Sequence, residues 1–159
     1  MMRIVTCALL VLSGAALADP MAEMQGAWNG SGWARETPDG PQETVRCRLK
    51  NTYDADVLTI KGRCAVPGRK LTLSGEIKSD AGSEEITGHW FNPDGLGSVR
   101  IKGVQRGDIL AFTFRVKDPE TGRDIAQNVE WRVSSDGLRL RATDRSNPDA
   151  MMSDISFKR

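Results

Sequence analysis

The chain carries few of the residue combinations that perform catalysis. His89 is its single histidine, so no second imidazole can share a metal ion with it. The sequence contains neither a G-x-S-x-G nucleophile turn nor a glycine-rich phosphate loop leading into a helix. His89 falls in an alternating segment whose pattern predicts that it faces solvent. We therefore expect a protein that is not an enzyme and that needs no metal or cofactor.

Acidic residues are plentiful, but most fall where turns favour aspartate. Asp54-Ala55-Asp56 has the D-x-D spacing that begins a calcium loop, yet the glutamate that closes such a loop is missing. The stretch Asp118 to Asp124 is polar and is predicted to be the longest internal loop. Such a loop either connects strands in solvent or carries a binding function.

Basic residues collect on one predicted face of neighbouring strands. They are Arg46, Arg48, Lys50, Lys61 and Arg63 on one pair of strands, and Arg132, Arg139 and Arg141 on another. Like charges facing each other across a sheet destabilise it unless an acid or a bound anion lies nearby. This face is therefore either a solvated surface that discourages edge pairing or a surface for an anion.

Cys47 and Cys64 are the two cysteines outside the N-terminal segment, and they predict a disulfide. A turn at Ala55-Asp56 places them opposite each other on the apolar faces of two paired strands. Their spacing fits neither a redox C-x-x-C motif nor a metal pair. A disulfide implies an oxidising compartment.

Residues 1–18 have the pattern of a signal peptide. Arg3 precedes an apolar run from Ile4 to Leu17, and Ala16-Leu17-Ala18 is a small-residue cleavage site. Cys7 lies inside the apolar run, which argues against a lipoprotein. Without Arg3 the remaining chain has 21 basic and 21 acidic residues, since 22 minus 1 equals 21. We expect a periplasmic or secreted single domain over 19–159, without a membrane span and without affinity for nucleic acid.

Short segments of alternating apolar and polar residues, separated by turn residues, predict ten strands over the rest of the chain. Predicted turns lie at Pro67-Gly68, Ala81-Gly82, Asp94-Gly95, Arg106-Gly107 and Asp136-Gly137. The registers that follow pair Cys64 with Leu71, Ile77 with Ile86, Trp90 with Val99, Ile101 with Phe112 and Val133 with Leu140. All five turns give one consistent apolar face. The pattern predicts an all-β, antiparallel up-and-down barrel of about eight to ten strands, with a two-sheet sandwich as the alternative.

Glycines on the predicted inner face indicate a hollow. Gly75 and Gly88 are predicted to lie side by side on neighbouring strands, and a strand glycine leaves no side chain to pack. The hollow would be a ligand site, or the space would be filled by an indole or taken up by a bend in the sheet. The candidate ligand-binding residues are Gly75, Gly88, Trp90, Ile101, Phe112 and Trp131.

The segment Gly26-Ala27-Trp28 resembles the G-x-W first strand of calycin-type barrels, which include lipocalins, avidins and nitrobindin-like proteins. In those barrels a basic residue near the end of the last strand packs on the tryptophan, and Lys158 or Arg159 matches that position. The resemblance implies a barrel that binds a small molecule. No histidine follows His89, so the haem site of nitrobindin-like proteins is not implied.

From these patterns we expect an exported, non-enzymatic barrel that binds a small apolar or amphipathic ligand. The alternative is an envelope module that binds or inhibits another protein through the barrel rim or the basic outer face. An exposed Trp33, whose position in its strand is of opposite parity to Trp28, would favour that alternative.

Overall fold

The computed structural model describes residues 19–80, 82–92 and 97–159. The predicted signal peptide, residues 1–18, and the Asp94-Gly95 turn lie outside the described residues. Within them, one short helix precedes ten strands: α1 (Pro20–Glu23), β1 (Gly26–Ala34), β2 (Glu43–Asp54), β3 (Val57–Val66), β4 (Arg69–Ser79), β5 (Glu85–Asn92), β6 (Gly97–Arg106), β7 (Ile109–Lys117), β8 (Asp124–Ser134), β9 (Gly137–Asp144) and β10 (Met151–Lys158).

The strands form one closed antiparallel barrel. Each strand pairs with its neighbours in the chain, and β1 closes the barrel by pairing with β10. The prediction of an up-and-down barrel is confirmed, and the sandwich alternative is wrong. Closure leaves no free edge in the sheet, which is one way that all-β proteins avoid edge-to-edge association.

Alternation along the strands places the core inside the barrel. In β2, Val45, Cys47 and Leu49 are buried while the residues between them are exposed. The same period of two continues on β3, β7 and β8, because successive side chains of a strand point to opposite faces. The interior is therefore apolar and the outer wall is polar.

Several predicted registers are confirmed. Cys47 lies opposite Cys64, Cys64 opposite Leu71, and Trp90 opposite Val99. The Ala55-Asp56 turn has positive φ at both residues, 46° and 63°, as a two-residue type I′ hairpin requires.

Three predicted registers are wrong by two residues. Ile77 pairs with Gly88 instead of Ile86, Phe112 with Gly103 instead of Ile101, and Val133 with Leu138 instead of Leu140. The cause is a turn centred elsewhere, since moving a turn by one residue shifts the pairing by two. Such a shift keeps every side chain on its face, so alternation alone cannot reveal it.

The predicted Asp136-Gly137 turn lies one residue earlier in the chain, and Gly137 has a different role. The turn residues are Ser135 and Asp136, because Ser134 already pairs with Gly137. A Cβ at Gly137 would lie 2.4 Å from the carbonyl oxygen of Phe157. The glycine therefore permits close approach of neighbouring backbone and does not form the turn.

Helix α1 closes one end of the barrel. Met21 and Met24 are fully buried, and α1 contacts β3, β7 and β8. Asp19 caps the helix, since its Oδ1 accepts a hydrogen bond of 2.9 Å from the Met21 amide. We call this the closed end of the barrel.

The last carbonyl groups of α1 are held by side chains of the barrel. The Met24 carbonyl accepts hydrogen bonds from Trp28 Nε1 at 2.9 Å and from Asn51 Nδ2 at 3.0 Å. The Arg159 guanidinium lies 4.7 Å from the centre of the Trp28 ring and donates to the Glu23 carbonyl at 3.3 Å. Arg159 is thus the basic residue that packs on Trp28, and both side chains fasten the helix. Among the described residues, no helix has the length and apolar character needed to cross a lipid bilayer.

Candidate functional site

A cavity of about 280 Å³ lies inside the barrel at the end opposite α1, and we call it the cup. Its opening is lined by Arg35 and Glu36 from the loop after β1 and by Arg69 at the start of β4. Its wall is mainly apolar: Val45, Cys64, Val66, Leu71, Leu73, Trp90, Val99, Phe112, Phe114, Val129, Leu140, Ala142, Met152 and Ile155. The arrangement can exclude water from a small apolar molecule.

Two of the predicted ligand-binding residues line the cup. Trp90 and Phe112 both face it, and their ring centroids are 6.2 Å apart with a tilt of 40°. Trp90 remains partly exposed, whereas Phe112 is 3% exposed. The structure therefore brings together the aromatic pair of the predicted site.

Gly75 and Gly88 do not form the predicted hollow. They are not opposite each other, because Gly75 pairs with Trp90 and Gly88 pairs with Ile77. A Cβ at Gly75 would lie 2.6 Å from Cε3 of Trp90, so the indole ring fills the space in front of this glycine. A Cβ at Gly88 would lie 1.9 Å from the Glu76 carbonyl oxygen, so this glycine allows β4 and β5 to approach.

Ile101 and Trp131 lie in the packed core and do not line the cup. Ile101 is 3% exposed and Trp131 is 1% exposed. The Trp131 ring packs against Phe157 with centroids 5.6 Å apart. Both residues point inward as predicted, but they are at other depths of the barrel.

Sequence reasoning missed most of the apolar wall of the cup. Leu71, Leu73, Phe114 and Met152 are all at inward positions of their strands. Alternation indicates the inward direction of the first three but not the depth along the barrel axis. Met152 lies where the register between β9 and β10 shifts, so a simple alternation does not place it.

Charged side chains surround the mouth of the cup and largely neutralise each other. Arg69 forms an ion pair with Glu36 and lies 3.7 Å from Glu43. Arg35 donates to the Pro38 carbonyl at 2.7 Å. The described lining thus contains two arginines and two glutamates, whose formal charges cancel.

Trp33 is on the outer face of β1 and is half-buried. The Arg35 guanidinium covers its ring, 5.2 Å from the centroid. The strand pairs with both neighbours without a register shift, so no bulge separates Trp28 from Trp33.

The Asp118 to Asp124 segment is ordered by its own hydrogen bonds beside this mouth. Asp118 accepts backbone bonds from Glu120 at 2.9 Å and Thr121 at 3.1 Å. The bond from the Thr121 amide, followed by that from Glu120, lowers the pKa of the Asp118 carboxyl below its ordinary value. The loop over 118–123 is shorter than that over 35–42, so the prediction that it is the longest was wrong.

His89 lies outside the barrel and away from the cup. It is exposed and is opposite Glu76 and Arg100 on the neighbouring strands. No group of three or more His, Cys, Asp or Glu residues in the described part of the chain is arranged to hold a metal ion.

Cys47 and Cys64 form a disulfide between β2 and β3, as predicted. Cys64 also lines the cup, so the disulfide is part of its wall. A disulfide is compatible with an oxidising, extracytoplasmic compartment.

The sequence matches no known protein family. A comparison with curated proteins likewise gives no match. Functional inference therefore depends on the geometry of the barrel and its surface.

Proposed function

We propose that this protein binds a small apolar or amphipathic molecule in the cup and does not act on it chemically. The observation that carries the proposal is the apolar cavity of about 280 Å³ inside a barrel whose other end is filled by α1. Small-molecule sites are typically concave and mainly apolar, with a few polar groups near the opening. The cup has this composition.

The volume of the cup limits the size of its ligand. Binding sites for drug-sized molecules span about 300 to 1,000 Å³, so this cavity is at the small end of the range. It equals the volume of about nine water molecules, taking about 30 Å³ for each. At the packing density of protein interiors, a ligand of up to about three aromatic rings or a short aliphatic chain fits this size, with Trp90 and Phe112 as its aromatic contacts.

The mouth favours a ligand with a neutral polar end. The two arginines and two glutamates of the lining balance each other, so a free charge on the ligand would gain little there. Gln127 and Ser153 add hydrogen-bonding groups beside the apolar wall. An amphipathic molecule would place its apolar part in the cup and its polar group at this rim.

We also propose a periplasmic or secreted location and a calycin-like relationship. The location is supported by the disulfide and by the leader pattern of residues 1–18. The relationship is supported by the closed meander barrel and by Arg159 packed on Trp28 of the G-x-W strand.

A fluorescence titration with N-phenyl-1-naphthylamine, a neutral apolar probe, tests the binding function. Wild type should show saturable enhancement with one site per chain. Ala142→Phe places a ring in the cup, since Ala142 is buried in its wall. The added ring takes up space in which the probe would bury its own apolar surface. Burying a group the size of one apolar side chain contributes about 1.5–3 kcal/mol, and about 1.4 kcal/mol is a tenfold change, so we expect the affinity for the probe to fall by about tenfold or more.

Ala27→Phe is the matched control, because Ala27 is exposed on the outer face of β1. It should bind the probe as wild type does. If Ala142→Phe does not fold by far-UV circular dichroism, Leu73→Trp at the half-buried edge of the cup replaces it. Absence of saturable binding to wild type, or equal binding to a folded cup variant, would contradict the proposal.

A further inference from the structure

Six basic side chains form a continuous patch on the outer wall of the barrel, over β2, β3 and β4. We call it the basic wall; it consists of Arg46, Arg48, Lys50, Lys61, Arg63 and Lys70. All six residues are exposed and line an open groove of about 1,020 Å³. Within the described residues, the lining of this groove contains no acidic side chain.

The arrangement places like charges directly opposite each other. Arg48 is paired with Arg63, and Lys50 is paired with Lys61, across adjacent strands. Like charges at such positions destabilise a sheet. None of the six side chains forms an ion pair with any residue that the structure describes, whereas Arg132 and Arg139 on the opposite side do. A bound polyanion would supply the missing negative charge.

The disulfide fixes the strands that present these charges. Cys47 lies between Arg46 and Arg48 in β2, and it is bonded to Cys64, the neighbour of Arg63 in β3. The bond is on the inner side of the same two strands. It therefore holds the two rows of cations together against their repulsion, so the site is formed before any ligand arrives.

The surroundings of the groove favour a chain-like ligand over a flat surface. Acidic residues on the outer wall border it towards the closed end of the barrel, with Asp54 at the end of β2 and Glu76 on β4. They are two to four residues from the cations along the strands, or about 7–13 Å at about 3.3 Å per residue. An anionic bilayer would have to contact these acids as well, whereas a narrow chain crossing β2, β3 and β4 would avoid them.

The chemistry of the groove also disfavours nucleic acid. Sequence-independent binding of single strands uses aromatic side chains on which bases stack. The described lining contains no aromatic ring, and the exposed Phe91 lies beyond its edge, opposite Ser74. We propose that the basic wall binds an acidic polysaccharide, through charge-assisted hydrogen bonds to sulfate, phosphate or carboxylate groups along the sugar chain.

Titration with a fluorescent heparin dodecasaccharide at low and at near-physiological salt tests this proposal. Wild type should bind it, and added salt should weaken the binding. The double variant Arg48→Ser, Arg63→Ser should bind about tenfold more weakly or worse, since it removes two donors of charge-assisted hydrogen bonds from the centre of the wall. The control Arg100→Ser, Lys102→Ser removes two exposed cations from β6, also without ion pairs among the described residues. It should change affinity less than threefold.

Two further ligands distinguish the alternatives. Tighter binding of a thymidine oligonucleotide than of the dodecasaccharide would overturn the choice of polysaccharide in favour of nucleic acid. Binding of phosphatidylglycerol vesicles but not of the dodecasaccharide would overturn it in favour of a membrane surface. Equal losses in the two double variants would show that the wall is not a localised site and would likewise overturn the proposal. Loss of probe binding in the cup does not bear on this result, because the cup is on the inner side of the barrel.

Discussion

Replacing Gly88 by alanine tests whether this glycine is needed for strand approach. An alanine Cβ at this position would lie 1.9 Å from the Glu76 carbonyl oxygen and 3.1 Å from the Ile77 Cα. Both contacts are with backbone, so no side chain can rotate away to relieve them. To reach an ordinary contact distance, β4 and β5 would have to separate by more than 1 Å, which disrupts the pairing of Ile77 with Gly88.

We expect Gly88→Ala to destabilise the protein by about 3 kcal/mol or more, at or above the usual range for overpacking. For a chain of this size, 3 kcal/mol lowers the Tm by about 10 °C. Urea unfolding followed by circular dichroism measures the loss. Gly68→Ala is the control, because its Cβ would meet nothing within 4 Å and only its φ of 78° is unfavourable, so it should cost about 1–2 kcal/mol. A Gly88→Ala variant as stable as the control would refute the reasoning.

Three further predictions concern stability. The Tyr53 hydroxyl donates to Asp19, which together with burial raises the pKa of Tyr53 above its usual range; Tyr53→Phe should cost about 1–2 kcal/mol at pH 7. The Tyr53 phenol ionises near pH 10 in the unfolded chain and at higher pH in the folded protein, so this stabilisation should fade as pH rises above about 10. Urea unfolding of wild type and of the Tyr53→Phe variant at pH 7 to 11 checks this. Arg139, bonded to Asp154 at 2.7 and 2.8 Å, lowers the pKa of that carboxyl. Asp154→Asn should cost about 1 kcal/mol at pH 7, since Arg139 is nearly half exposed, and urea unfolding should show the difference vanish as pH falls below about 4. Reduction of the Cys47–Cys64 disulfide, which spans 17 residues, should cost about 3 kcal/mol in denaturant titrations with and without reductant.

The fold was predictable because strand faces alternate strongly in this sequence. The period of two gave ten strands and their inward sides, and the Ala55-Asp56 turn placed Cys47 opposite Cys64. The pairing registers of the strands were harder to predict than their faces, because a turn displaced by one residue shifts the pairing by two residues and leaves every side chain on the same face. The predicted turn at Arg106-Gly107 is wrong in this way, because the turn residues are Gly107 and Asp108.

The position of the cup could not be derived from alternation. It depends on which end of the barrel α1 fills, and Met21 and Met24 reveal that only in the folded structure. Inward glycines indicated a hollow, but Gly75 accommodates the Trp90 ring, which packs against its strand. Depth along the barrel axis, set by the registers of several strands together, decides which inward residues line the cavity.

Native mass spectrometry of the purified protein, equilibrated with N-phenyl-1-naphthylamine, tests the central claim of ligand binding in the cup most directly. Wild type should retain the mass of one probe or of one displaceable native ligand, and this excess should disappear on denaturation. The Ala142→Phe variant should show the bare protein mass. A bare mass for wild type, or the same adduct on both folded proteins, would contradict the claim that the cup is the binding site.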